Sequence, residues 1–407
     1  MKERRYDIDW LRVIAMLSVF VFHVTRFFDN EDWHVKAPIG QQTEIVVIVR
    51  SLFFWVWLME IFFLLSGFAT LYSLRHHTGG QYLLERAKRL LIPLYTVGMF
   101  LIVVPQAYFE RYTHGQITTS FWEWLPKFYL GLPGEVITGL DPQAPSSIVL
   151  YTFTGHLWFL QMLFIVSLVT LPVILWLKSE SGQGFTTKLA GWSMRPGGIF
   201  LFAIPLAIVR IGLNWLPWTV SLNWMDFLWY VLYFIFGYIL VTDARFNESI
   251  KKNGWLSLAL WFLPFAIVLS ILRFVFGYMP GTGFSVWYMI FELTWTIVSW
   301  SSVVCILSLG AKYLNFTNRF LEYGNEAVLP FYILHQTFIL VVGWFVFPLG
   351  LNAFVEYFII LVVSFALIML TYEFLIRRWN FMRFLFGMNP KKKVEPAMSN
   401  GRSQQGA

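Results

Sequence analysis

The sequence predicts an all-α, polytopic membrane protein: a bundle of about ten transmembrane helices with both termini cytoplasmic. Three observations carry this prediction. The 407 residues are 57% hydrophobic and only 13% charged, with a mean hydropathy of +0.62. A soluble globule would carry about a quarter charged residues. The apolar residues gather into runs long enough to span a bilayer, about 20 residues each. Lys and Arg collect in every second connection between those runs.

The first run is 10–28, WLRVIAMLSVFVFHVTRFF. The preceding MKERRYDID resembles the charged start of a signal peptide. The run is too long for one and no small-residue cleavage site follows it, so it reads as a retained helix. The second run, 45–74, is unusually long, and Ser66-Gly67 marks either a break or close helix packing in it. Further runs fall at 90–109, 155–177, 199–216, 225–242, 255–277, 284–309, 327–347 and 351–376. No soluble domain fits between them. The largest connection, about 110–154, holds Pro126, Pro133, Pro142 and Pro145 and reads as an interfacial loop. The membrane domain is therefore 1–387. Residues 388–407 are polar and read as a disordered tail.

Orientation follows from the cations. One side holds Lys2, Arg4 and Arg5, then Arg75, Arg86, Lys88 and Arg89, then Lys178, Lys188 and Arg195. It continues with Arg245, Lys251, Lys252, Lys312 and Arg319, and ends on the basic C-terminal tail. The other side holds Arg26, Lys36, Arg50, Arg111 and Lys127. The richer side is cytoplasmic. A net charge of +7 explained this way gives no ground for a nucleic-acid partner. The single cysteine, Cys305, excludes an intrachain disulfide and a cysteine-based metal cluster.

Two residues of the first run stand out. Arg12 and His23 are eleven positions apart, about three helical turns, so they share a face roughly 16 Å apart. Arg12 falls near the cytoplasmic surface and His23 in the outer half. Ionisable groups at membrane depth cost stability and point to function. The plainer reading is one charge near the headgroups and one hydrogen-bonded histidine. His156, at the outer start of the fourth run, suits proton transfer. The plainer reading there is interfacial anchoring beside Trp158. Two histidines without HExxH or a nearby carboxylate give a zinc site little support. Arg86 and Arg89, with Lys88 between them, could grip phosphate. They could equally be inner-surface anchors or bind anionic membrane lipids. Of the remaining intramembrane charges, Glu60, Arg210, Arg273, Glu292, Glu356 and Glu373, some are expected to pair. His335 is assigned a structural hydrogen bond.

Together these pieces resemble the acyltransferase-3 family of membrane O-acyltransferases. The likeness rests on Asp9-Trp10-Leu11 with Arg12 and His23, on Phe62-Phe63-Leu64-Leu65-Ser66-Gly67-Phe68, on Arg86-x-x-Arg89 with Pro93, and on His156-Leu157-Trp158-Phe159-Leu160 with Tyr332-Ile333-Leu334-His335. The His-Leu-Trp-Phe-Leu form is similar to a branch that serves glucan biosynthesis. Glu60 stands where many members have Asp, and the hydrolase-like extension of two-domain members is missing. The resemblance implies an acyl-CoA donor on the cytoplasmic side and a glycan acceptor outside, with acetyl or succinyl as the acyl group. It implies no metal, a bacterial inner membrane and a separate acyl-handling protein as a further partner. Arg12, Arg86 and Arg89 would hold the CoA phosphates. His23 and His156 would serve catalysis, and Trp158 and Glu60 the substrate. A secondary transporter of an organic anion or sugar derivative is the rival reading. There Arg210, Glu292 and Glu60 would line the path and His23 would relay protons. No inverted repeat supports it by eye. A scaffold subunit of a polysaccharide machine is the third.

Overall fold

The computed structural model describes residues 5–138, 155–213, 224–270 and 286–391, and among them helices are the only regular structure. In chain order they are α1 (Tyr6–Thr25), α2 (Glu44–Arg50) and α3 (Leu58–His76). Next come α4 (Gly79–Pro93), α5 (Val104–Thr113), α6 (Phe121–Thr138), α7 (Trp158–Lys178) and α8 (Glu180–Ser193). Then follow α9 (Ala203–Gly212), α10 (Trp224–Thr242), α11 (Ala244–Lys252) and α12 (Gly254–Ser270). The chain closes with α13 (Val286–Tyr313), α14 (Arg319–Val346), α15 (Ala353–Thr371) and α16 (Asn380–Leu385). Wider turns at Ser51–Trp55, Leu94–Ile102 and Tyr372–Ile376 continue three of these helices.

Seven described helices are long and apolar enough to cross a membrane, and an eighth crossing is formed if the bent pair Gly79–Ile102 and Val104–Thr113 is one span. This is a multi-pass membrane protein. Eight of the predicted runs fall on these crossings. The runs at 199–216 and 255–277 begin on shorter apolar helices, Gly198–Gly212 and Gly254–Pro264, and reach residues outside the described set. Arg273 and nearly all of the C-terminal tail also lie outside it.

Local chemistry explains where the helices begin. Thr78 and Gln81 form a reciprocal capping box at the start of α4. Asn318 caps α14 through Leu321 N, and Asn352 caps α15 through Val355 N. The span expected at 90–109 starts earlier, at Gly79, so Arg86 and Arg89 lie on its first turns. It bends by 45° before Pro105, whose missing N–H favours the start of a new helix there. The connection expected as a loop contains α6. Ser120 and Glu123 cap it, with Glu123 N donating to Ser120 Oγ at 3.4 Å and Ser120 N to Glu123 Oε2 at 3.1 Å.

Packing settles the Ser66-Gly67 question in favour of close approach. Helix α3 runs unbroken past both residues and lies along α10. A Cβ on Gly67 would overlap the backbone of Phe234, and one on Gly237 would overlap Leu64. Backbones meet at this contact because small residues permit it. Helices α1 and α14 are parallel neighbours. Trp10 Nε1 donates to Phe316 O, Arg12 meets Asn325 and His23 meets His335, so contacts climb both helices together. Among the described residues, Arg210 pairs with Glu292, and Glu373 pairs with Arg377 just past the end of its span.

Candidate active site

The site lies along α1 and α14 in three levels. At the basic end, Arg12 Nη1 donates to Asp9 Oδ1 at 3.3 Å and to Asn325 Oδ1 at 3.2 Å. Arg86 Nη2 reaches back to α3, donating to Ser66 O at 3.1 Å and Thr70 Oγ1 at 3.3 Å, and its guanidinium lies over Tyr82. Arg89, one turn further on, is open to solvent. The charges acting on it are Arg12 and Arg86, with no carboxylate among them. Three guanidiniums, with Asp9 beside Arg12, make a positive pole suited to phosphate. The structure therefore brings Arg12, Arg86 and Arg89 together.

About three turns further along α1 lies a polar cluster in an otherwise apolar interior. His335 Nε2 is 3.3 Å from His23 Nδ1. His335 Nδ1 is 2.6 Å from Tyr332 O, and His23 Nδ1 is 2.8 Å from Val19 O. On the far side of the same α14 turn, His156 Nε2 is 3.2 Å from Tyr332 O and 3.1 Å from Ile333 O. Its Nδ1 is 2.9 Å from the amide nitrogen of Gln106. Gln106 also donates to Thr337 Oγ1 at 2.8 Å and accepts from Gln336 at 3.3 Å. The Tyr332 hydroxyl closes the ring onto His156 O.

The carbonyls decide the protonation of these rings, because a carbonyl only accepts. His156 must carry its proton on Nε2 and receive Gln106 on Nδ1, which engages both nitrogens. His156 is thus a clamp between Gln106 and α14. His23 and His156 are joined through the backbone of α14 and through His335, whose ring centroid lies 4.9 Å from each.

The third level is an aromatic wall. Tyr332 meets Phe159, Phe159 meets Phe63, and Phe63 stacks on Tyr230 with centroids 4.4 Å apart. Trp158 faces Tyr230 at 6.0 Å. Glu60 lies on this wall, receiving Trp229 Nε1 on Oε1 at 3.0 Å, while its buried Oε2 has no protein partner among the described residues. Above His23, Trp33 of the α1–α2 connection approaches the imidazole at 6.3 Å. Below that connection, Arg50 is fully buried with Asp29 and lies over Phe22 and Trp55. Among the described residues no cluster of three or more His, Cys, Asp or Glu could hold a metal ion.

Sequence reasoning did not find Gln106, Gln336, Thr337 or the placement of His335 against His23. A polar residue inside a spanning run was the available signal.

Comparisons with known proteins identify the family of the chain. A family model described as "Acyltransferase domain" matches residues 5–373. A glucans biosynthesis protein C of Salmonella schwarzengrund is 22% identical over 412 residues, covering 98% of both chains. Its namesake from Salmonella paratyphi B is 22% identical over 417 residues with the same coverage. No solved structure matches.

Proposed function

The chain belongs to the acyltransferase-3 family, and on that premise we propose that it moves an acyl group from acyl-CoA at its basic, cytoplasmic end to a hydroxyl of an envelope glycan at the opposite end. The observation that carries this reading is the line from Arg89 and Arg12 to His23. It joins a positive pole to an imidazole whose Nε2 has no partner among the described residues. Arg12, Arg86 and Arg89 hold the CoA phosphates, and the pantetheine arm covers the roughly 16 Å up to His23. His23 Nε2 takes the proton of the acceptor hydroxyl as its oxygen attacks the thioester carbonyl. The C–S bond breaks, and the proton passes from His23 to the departing thiolate. His156 holds α14 in place beside this reaction. Trp158 and Tyr230 stack the acceptor sugar, and Glu60 Oε2 accepts one of its hydroxyls.

The glycan acceptor is supported by the name of the two relatives and by the aromatic wall beside an unfilled carboxylate oxygen. Acetyl and succinyl are the acyl groups we favour. The location we favour is a bacterial inner membrane, with a separate protein handling the acylated product outside.

The test is CoA release from a panel of acyl-CoAs in membranes that contain the envelope glycans. Wild type should release CoA with one donor. His23→Gln should lose at least about 100-fold of that rate while remaining folded in the membrane. Equal rates would remove His23 from the chemistry. No release with any donor, from folded wild type, would end the acyltransfer reading of this site and favour transport.

A further inference from the structure

We propose that His335 is a positioning residue that, together with Val19 O, holds His23 in the tautomer with a bare Nε2. This rests on the reading of His23 as the base, and deepens it. His335 is fully buried, and its Nδ1 faces Tyr332 O at 2.6 Å. A carbonyl accepts only, so the proton of neutral His335 is on Nδ1 and its Nε2 carries a lone pair. That lone pair faces His23 Nδ1 at 3.3 Å, and Val19 O faces the same nitrogen at 2.8 Å. Two acceptors converge on one nitrogen of His23. The proton of neutral His23 is therefore on Nδ1, shared between them. The other tautomer would set a bare Nδ1 against both acceptors, which is repulsive.

The result is a basic Nε2 that no protein group among the described residues occupies, on a side chain partly open to solvent. When Nε2 takes the acceptor's proton, the ring becomes an imidazolium. Its Nδ1–H then strengthens its bond to His335 Nε2, because charge-assisted hydrogen bonds are the stronger ones. His335 so does for His23 what an orienting carboxylate does in other base pairs, without placing a second full charge in the membrane. The clamp of His156 on Tyr332 O and Ile333 O steadies the turn that carries His335. Tyr332 O is the shared point, receiving both His335 and His156.

The experiment has two arms on the full-length protein in bilayers. In the first, nitrogen-15 histidine spectra are recorded, and the resonances that vanish in His23→Gln identify His23. Wild type should show His23 protonated on Nδ1 alone. His335→Phe, which leaves Val19 O as the remaining acceptor at that nitrogen, should show a measurable share of the Nε2-protonated form that wild type lacks. His335→Gln, which offers a carbonyl oxygen, should keep the wild-type share. A wild-type His23 protonated on Nε2 overturns the proposal without any variant, as does a His335→Phe spectrum with the wild-type share. In the second arm, CoA release is measured against donor concentration. His335→Phe should lower kcat about tenfold with the donor KM unchanged, and His335→Gln should restore part of it. Unchanged kcat in His335→Phe, beside an inactive His23→Gln, overturns the role of His335 alone. An active His23→Gln instead removes the base mechanism, and the spectra then decide the tautomer lock by themselves.

Discussion

Asn325 bridges Asp9 and Arg12. Its Oδ1 accepts from Arg12 Nη1 at 3.2 Å, and its Nδ2 donates to Asp9 Oδ1 at 3.2 Å. Ten residues further along α14, His335 meets His23, eleven residues beyond Arg12 on α1. One parallel helix pair thus sets the guanidinium and the imidazole at a fixed separation. That separation matters for a donor anchored at one and reacting at the other.

Asn325→Leu is expected to free Arg12 from one of its holding groups without removing its charge. The donor KM should rise about three- to tenfold, with kcat at saturating donor little changed. CoA release at varied donor concentration measures this. A fall in kcat at constant KM would show that Asn325 supports the reaction rather than the donor.

Arg86 and Arg89 should separate structure from binding. Arg86 secures α4 to α3 through Ser66 O and Thr70, whereas the charges acting on Arg89 are Arg12 and Arg86. Arg89→Ala should weaken the donor about 10- to 100-fold, as loss of a charge-assisted bond of about 1.5–3 kcal/mol requires. The melting temperature should stay within about a degree, since no side-chain partner among the described residues is lost. Arg86→Ala should weaken the donor and lower the melting temperature together. Equal thermal losses in both variants would contradict this division.

Gly67→Ala should destabilise more than any exposed glycine change. The added Cβ would overlap Phe234 O and the start of the next turn of α10. Helix α3 would have to move away from α10, a cost of about 1–3 kcal/mol. Gly40→Ala is the control, since nothing lies within 4 Å of its Cβ position. Thermal unfolding in detergent should show a large fall for the first and none for the second. Because α3 also carries Glu60 and the carbonyl that holds Arg86, Gly67→Ala should lower activity as well.

These sites differ in how far the sequence revealed them. Hydropathy and the alternation of cations made the all-helical membrane class legible, and the eleven-residue spacing of Arg12 and His23 put them on one face. Arg86 and Arg89 needed only a helix, and the capping box at Thr78 supplies it. What could not be read was contact at long range. His335 lies 312 positions from His23, and no local pattern reports that α14 runs parallel to α1. Gln106 meets His156 across 50 positions, on a helix segment displaced by the bend before Pro105. Helix α6 was different, since the Ser120–Glu123 capping box was in the sequence and the surrounding prolines outweighed it.

The connection above His23 should loosen as pH rises through neutrality. His114, just beyond α5, receives support from Glu110 O through Nδ1 and from Asp32 through Nε2, at 2.6 Å and 3.0 Å. These hydrogen bonds, the backbone one first and then Asp32, raise its pKa above the usual 6.5 despite opposing burial. A folded-state pKa raised in this way contributes stability that is fully present below the unfolded value. The contribution is lost as pH climbs through the folded value. Asp32 is the neighbour of Trp33, so the clasp bears on the residue that covers His23. Both partners are substantially solvent-exposed, so the contribution is at most about 0.5–1 kcal/mol. Amide exchange of residues 30–36, corrected for intrinsic rates, should quicken a few-fold between pH 6 and pH 8. His114→Gln should remove that difference and exchange at both pH values as wild type does at pH 8. A wild-type profile that is flat over this range would mean that Asp32 is held by something other than His114.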